Sequence, residues 1–166
     1  MTGVIVKITD KDVLERLKVL QKKIGDLEPF FKNAGEVLLE NTKQRFTDET
    51  APDGKKWKEL SPVYKKRKKG HKILQELGEN GGLLGTLAYH AASDALLIGS
   101  VKVYAAIHQM GGKAGRNHAV KIPARPYLGL SEKDKTDLND LIADFLEKKT
   151  VLTLLQRILA ACERYL

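Results

Sequence analysis

Four histidines, one cysteine, two glycine-rich runs and one arginine set between prolines are the residues whose types could carry chemistry in this chain. Histidine and cysteine bind metals or move protons, but each role needs partners at a fixed spacing. His71, His90, His108 and His118 stand in no metal-ligand spacing with one another or with Cys162. No serine lies in a G-x-S-x-G elbow. G-G-L-L-G at 81 to 85 would need glycine where Asn80 stands to become a dinucleotide fingerprint, and G-G-K-A-G-R at 111 to 116 lacks the order of a phosphate loop. His118 falls in a polar loop and is expected to be solvated. His108 falls on a short apolar turn and is expected to hydrogen-bond in the core rather than act as a base. We therefore expect no catalytic, cofactor-binding or metal-binding residue and no enzyme.

Two other features carry more information. Pro123 and Pro126 bracket Arg125, and each proline pushes its predecessor towards extended geometry. A cation held so firmly before the apolar pair Tyr127-Leu128 needs an appointed partner. A salt bridge or carbonyl contact within the chain, or a contact with another subunit, would each supply one. The second feature is charge. The chain's net charge is +8, and residues 55 to 72 alone hold nine Lys or Arg against one Glu. The remainder balances, with twenty residues of each sign. The run Lys65, Lys66, Arg67, Lys68, Lys69 would bind phosphates with a steep salt dependence if it met nucleic acid. A solvated mobile loop and a contact with an acidic protein are the alternatives, and residues 61 to 82 are expected to be mobile.

These residues need elements to hold them. Gly3 to Ile8 reads as a first strand, rich in β-branched residues and without the pattern of a signal peptide. Thr9 or Asp10 can cap a helix with Val13, Leu17, Leu20, Ile24 and Leu27 on one stripe. Pro29 opens a second helix to about Thr47. Pro52-Asp53-Gly54 is a turn, with Trp57 and Leu60 anchoring it. Ser61-Pro62 starts a short helix. Leu83 to His90 and Ala95 to Gly99 read as strands around the turn Ala92-Ser93-Asp94. Tyr104 to His108 fits one helical turn stopped by Gly111 and Gly112. Val120 to Ala124 and Tyr127 to Leu130 supply further extended sequence. Ser131 caps a helix with Asp134 at the capping-box position, and Thr150 reads as the cap of a last amphipathic helix. The expected fold is α+β, an antiparallel sheet of about four strands packed against helices. Residues 1–149 would form the domain and 150–166 a C-terminal helical tail.

The order of these pieces carries a resemblance. Y-A-A-I-H-Q-M-G-G at 104 to 112 precedes I-P-A-R-P-Y-L-G-L-S at 122 to 131 with the polar loop between them. Upstream stand A-P-D-G-K-K-W ending at Trp57 and preceded by Phe46, I-L-Q-E-L-G at 73 to 78, and L-L-I-G-S at 96 to 100. Together they resemble the phage virion morphogenesis family, the tail-completion proteins of contractile-tailed phages and Mu-like prophages. The resemblance covers about Val37 to Ile142. It implies a structural protein that completes or terminates the tail and prepares it for joining to the head. Its partners would be phage tail and neck proteins, DNA would pass close by, and copies of the chain would close a ring, six being the implied number. Its place would be the host cytoplasm during assembly and then the virion. The matching positions Trp57, Tyr104, His108, Gln109, Gly111, Arg125 and Pro126 would hold the fold and the assembly surface. Met110 and Tyr127 depart from the family pattern. A basic nucleic-acid-binding protein acting through residues 55 to 72 is the rival reading.

Composition is compatible with either. The apolar fraction of 42% can build a core, and charge at 30% keeps the surface wet. No apolar run approaches the ~20 residues of a membrane span. A single cysteine excludes an intramolecular disulfide and suits a reducing cytoplasm.

Overall fold

A computed structural model describes residues 4–5, 11–70, 72–75 and 82–162, and side chains within them except at 4, 5, 23, 24 and 151–162. The elements run β1 (Val4–Ile5), α1 (Lys11–Ile24), α2 (Glu28–Asp48), α3 (Pro62–Arg67), β2 (Leu87–Ala91), β3 (Leu96–Ser100), α4 (Ala105–Met110), β4 (Gly112–Ala114), β5 (Val120–Ile122) and α5 (Glu132–Cys162). Short 3-10 turns lie at Leu84–Thr86 and Arg116–His118.

The class is α+β, and among the described residues the strands divide between two antiparallel sheets. One has the order β1-β3-β2; the other is the hairpin β4-β5. β2 and β3 pair from Leu87 with Ser100 to Ala91 with Leu96, around the expected turn, where Ala92 N–H donates to the Ala95 carbonyl. Val120 to Ala124, expected beside that sheet, pairs instead with Gly112–Ala114. Tyr127 to Leu130, expected as strand, is irregular backbone. Pro126 just before it has no amide donor, and the Tyr127 and Leu128 amides are taken by the Gln109 side chain instead of a strand.

Helix α2 is central. It lies against β2 and β3 and also against α5, which in turn meets α1. Phe30, Phe31, Ala34, Leu38, Thr42, Arg45 and Phe46 are buried along it. One core joins Val13, Leu20 and Leu27 to Phe30, Phe31, Leu38, Leu138 and Ile142. Phe30 meets Phe31 and Phe145 edge to face, at 5.5 and 5.7 Å between ring centres. The other core joins Phe46, Trp57, Ile73, Leu83, Leu87, Ala105, Tyr127 and Leu128. Pro29 sits in the first turn of α2, where a missing N–H costs nothing, and Asp26 accepts the Glu28 N–H.

The last four carbonyls of α2 have no partner within the helix. Each finds one elsewhere. Arg45 O accepts from the N–H groups of Glu49 and Thr50. Phe46 O accepts from Gln75 at 2.9 Å, Thr47 O from the Lys72 amine at 2.7 Å and Asp48 O from the Lys56 amine at 2.7 Å. Two cations of the basic segment thus sit at the negative end of a helix, where they are stabilising.

At the start of α5 the capping box forms as expected. Asp134 accepts from the Ser131 N–H and hydroxyl, both at 2.7 Å, and Ser131 Oγ accepts the Asp134 N–H at 3.2 Å. The helix does not stop at Thr150. It runs unbroken to Cys162, because Lys148-Lys149-Thr150 contains neither glycine nor proline, and the Thr150 hydroxyl donates to Leu146 O. The side chains of the expected tail stripe, His71, most of the expected first strand and residues 76–81 of the expected mobile segment lie outside the described residues. Within that segment, α3 is capped by Ser61 Oγ, which accepts the Tyr64 N–H.

Gly35 marks where α2 comes closest to the sheet. A Cβ there would lie 2.4 Å from the Tyr89 ring and 2.7 Å from its Cγ, so the ring cannot swing clear at its tip. Gly35→Ala should therefore destabilise by about 1–3 kcal/mol despite alanine's higher helix propensity. Urea unfolding would show a lower midpoint; an equal or higher one would mean that β2 can retreat.

Candidate functional site: side chains that clamp residues 125 to 129

Residues 125 to 129 pass through the core without joining a sheet. Tyr127 is fully buried, Arg125 and Leu128 nearly so. Buried backbone groups must be paired. Here one backbone carbonyl and several side chains do it. The Arg125 N–H donates to His108 O at 2.7 Å. Trp57 Nε1 donates to Pro126 O at 2.8 Å. The Gln109 carboxamide acts as a short strand: Oε1 accepts the N–H groups of Tyr127 and Leu128, each at 3.0 Å, and Nε2 donates to Leu128 O at 2.9 Å. Arg45 Nη1 reaches Tyr127 O at 3.0 Å and Gly129 O at 3.1 Å.

Arg45 is itself held by a carboxylate. Its Nη2 pairs with Asp134, which is fully buried and also accepts from Asn41 at 2.8 Å. Burial holds the Arg45 guanidinium below its ordinary pKa, against the opposing pull of Asp134. Guanidinium stays protonated all the same. One ion pair therefore ties the last turn of α2, the clamped segment and the cap of α5 together.

Arg125 has carbonyl partners. Nε donates to Lys58 O at 2.8 Å and Nη2 to Glu59 O at 3.2 Å. Burial lowers its pKa too, opposed by Tyr64 and Glu49 nearby. Of the two sequence readings, the contact within the chain is the one on view. Trp57 packs edge to face on Phe46, with ring centres 5.3 Å apart. Tyr127 leans on the same phenylalanine and donates its hydroxyl to Ala105 O at 3.3 Å. Burial pushes the Tyr127 hydroxyl up to about 12. Tyr104 meets the His108 ring at 5.8 Å on the half-buried face of α4. Gly111 ends α4 at φ 75°, and a Cβ there would come within 2.8 Å of Ala124 N. Only glycine lets the helix end lie against the proline segment.

The structure thus gathers Trp57, Tyr104, His108, Gln109, Gly111, Arg125 and Pro126 around one stretch of backbone. Among the described residues it does not gather the histidines: His90 lies on β2, His108 on α4 and His118 at the hairpin tip. Among the described residues, no three of His, Cys, Asp or Glu stand together as a metal site. Sequence reasoning missed Arg45 and Asn41. The signal for Arg45 was available, since it falls on the same helical face as Leu38 and Thr42, where a lone cation needs a buried anion.

Comparison with known proteins extends the match beyond the expected Val37 to Ile142, mainly at the N-terminal side. The model of the phage virion morphogenesis family matches residues 8–147. “Mu-like prophage FluMu G protein 1” of Haemophilus influenzae is 31% identical over 148 residues, 87% of this chain and 95% of that protein. “Putative capsid assembly protein G” of Escherichia phage Mu is 35% identical over 110 residues, 64% of this chain and 70% of that protein. “Mu-like prophage FluMu G protein 2” of Haemophilus influenzae is 38% identical over 71 residues, 43% of this chain and about half of that protein, 51%. No solved structure matches.

Two measurements test the clamp. Arg45→Met leaves Asp134 buried without its cation and should cost about 3–5 kcal/mol in urea unfolding. Adding Asp134→Asn should recover part of that loss, and a single variant as stable as the wild type would remove the pair from its central place. The raised pKa of Tyr127 gives a pH test. The unfolded tyrosine ionises near its ordinary value of 10.0, while the folded one stays neutral to about 12. The stability contributed by keeping it protonated is complete below pH 10 and is lost as pH rises towards 12, by at most about 1.4 kcal/mol per unit. The stability gap between wild type and Tyr127→Phe should shrink across that window; a constant gap would show a hydroxyl already open to water.

Proposed function

Since the chain belongs to the phage virion morphogenesis family, we propose that it completes or terminates the phage tail and prepares it for joining to the head. The observation that carries this reading is the length of the match, 95% of a Mu-like prophage G protein with the clamped segment inside it. The protein acts as a structural part and not as an enzyme. Its partners are tail and neck proteins and further copies of itself. A tail end is rotationally symmetric, and one head-to-tail contact repeated around the axis closes a ring, with six copies the expected number.

The surface supports contact of this kind. Val101, Val103, Met110 and Val120 expose 78%, 77%, 71% and 57% of their area, all within twenty residues around α4 and the hairpin. The clamp beneath holds that end of the molecule firm, which lowers the cost of ordering it against a neighbour. Among the described residues no helix is long and apolar enough to cross a membrane. The protein would assemble in the host cytoplasm and leave with the virion.

The rival reading, a nucleic-acid footprint over residues 55 to 72, is weakened by what those cations do. Lys56 and Lys72 close the end of α2, Lys65 pairs with Glu59 at 2.9 Å and Lys68 donates to Lys72 O. Lys55 pairs with Asp53 at 2.7 Å, and Lys58, Lys66, Arg67 and Lys69 remain exposed.

Electron microscopy of particles made without this protein provides the test. Separate heads and tails, or tails with ragged ends, are the expected products, and supplying the protein in trans should restore joined particles. Normal infectious particles in its absence would overturn the reading.

A further inference from the structure

The hairpin Gly112–Ile122 lends Val120 to the exposed apolar surface, but its cations are left without a role by the clamp and by tail completion. Its charge is one-sided. Residues 95 to 131 contain five Lys or Arg and not one Asp or Glu. Three of the five, Lys113, Arg116 and Lys121, are on the hairpin, and all are exposed.

The register decides which way they face. Gly112 pairs with Ile122, Lys113 with Lys121 and Ala114 with Val120. Side chains of paired residues share a face, and successive pairs alternate. A Cβ on Gly112 would point at the Ile107 side chain, 3.2 Å away, so the face with Gly112, Ile122, Ala114 and Val120 turns towards α4. Lys113 and Lys121 stand side by side on the opposite, outward face. Like charges directly opposite one another destabilise a ribbon, and an anion laid across both removes that cost. The tip adds Arg116 and His118, set by left-handed backbone at Asn117 and His118, each at φ 55°.

We infer that the Gly112–Ile122 hairpin is an arm that binds the phosphate backbone of duplex DNA through Lys113, Arg116 and Lys121. Duplex DNA carries one negative charge per about 1.7 Å of its axis, and paired cations on a narrow ribbon match that density. A two-stranded ribbon also fits the width of a major groove, about 12 Å. The arm is rooted firmly: three residues after β5, Arg125 is bonded to Lys58 and Glu59. Contact is to phosphates, so binding is independent of sequence and falls steeply with salt.

The inference goes beyond tail completion and is tested on the purified protein alone, so particle defects bear on one and binding on the other. Fluorescence anisotropy with an arbitrary 20-base-pair duplex, from 50 to 200 mM salt, gives the affinity and its salt slope. K113Q/R116Q/K121Q should weaken binding at least tenfold at 50 mM salt and lower the slope by about 3, whereas K55Q/K66Q/K69Q should retain most of the affinity. An unchanged urea midpoint certifies the ribbon variant; if it fails to fold, R116Q alone at the exposed tip should lower the slope by about 1. No wild-type binding to the duplex at 50 mM salt, or an unchanged slope in the variant, would overturn the inference. So would polyglutamate of matched charge binding through the same three residues more tightly than the duplex, which would make the arm a site for an acidic protein.

Discussion

A buried backbone without a sheet is the constraint on which the rest of this structure depends. The stretch from Arg125 to Gly129, entered through Pro123 and Pro126, pairs with no strand, yet it runs through the core, where every unmet amide or carbonyl is costly. Gln109, Trp57 and Arg45 meet that need from three different elements. Their positions follow from it. α4 must end where its glutamine reaches two consecutive N–H groups, so Gly111 must turn the chain away at once. The loop after α2 must bring an indole to the Pro126 carbonyl. α2 must present a cation from its inner face, and a cation there requires Asp134. Replacing such an ion pair by apolar groups is often harmless in other proteins. Here it also bonds two carbonyls, and an apolar substitute would leave them unmet.

What was legible in the sequence follows the range of the forces involved. α1, α2, the Pro52-Asp53-Gly54 turn, the Ser131 cap and the β2-β3 hairpin are set by residues within a few positions of one another, and the sequence announces them. The motif residues could be singled out because prolines and glycines restrict backbone directly. The bonds that join them could not be read, since Gln109 and Trp57 act on groups 18 and 69 residues away. Arg125 shows the limit well. Its rigidity was legible, but the choice between a carboxylate, a carbonyl and another subunit depended on where Lys58 and Glu59 would lie. Thr150 failed for the opposite reason. A threonine after two lysines looks like a cap, but inside an uninterrupted helix it bonds back to Leu146 O.

Charge gives a parallel lesson. Counted along the chain, the basic excess falls on residues 55 to 72. In space, part of that segment serves the C-terminal end of α2, and the hairpin, with fewer cations, sets two side by side on its outer face and a third at its tip. A net charge says which partners are attractive; the register of three residue pairs says where they can be met.

The clamp also bears on how this molecule comes into being. Arg45 bonds partners 82, 84 and 89 positions further along the chain. Contacts of such separation lose much chain entropy before they return any stability, and they slow folding accordingly. On the ribosome, α2 emerges long before Asp134 does. Its guanidinium must stay in water, and its inner face unfinished, until nearly the whole of the family-matched region has been synthesised. Only then can Arg45 close on Tyr127, Gly129 and Asp134 together. A chain that has not finished folding leaves the segment from Arg125 to Gly129 unclamped.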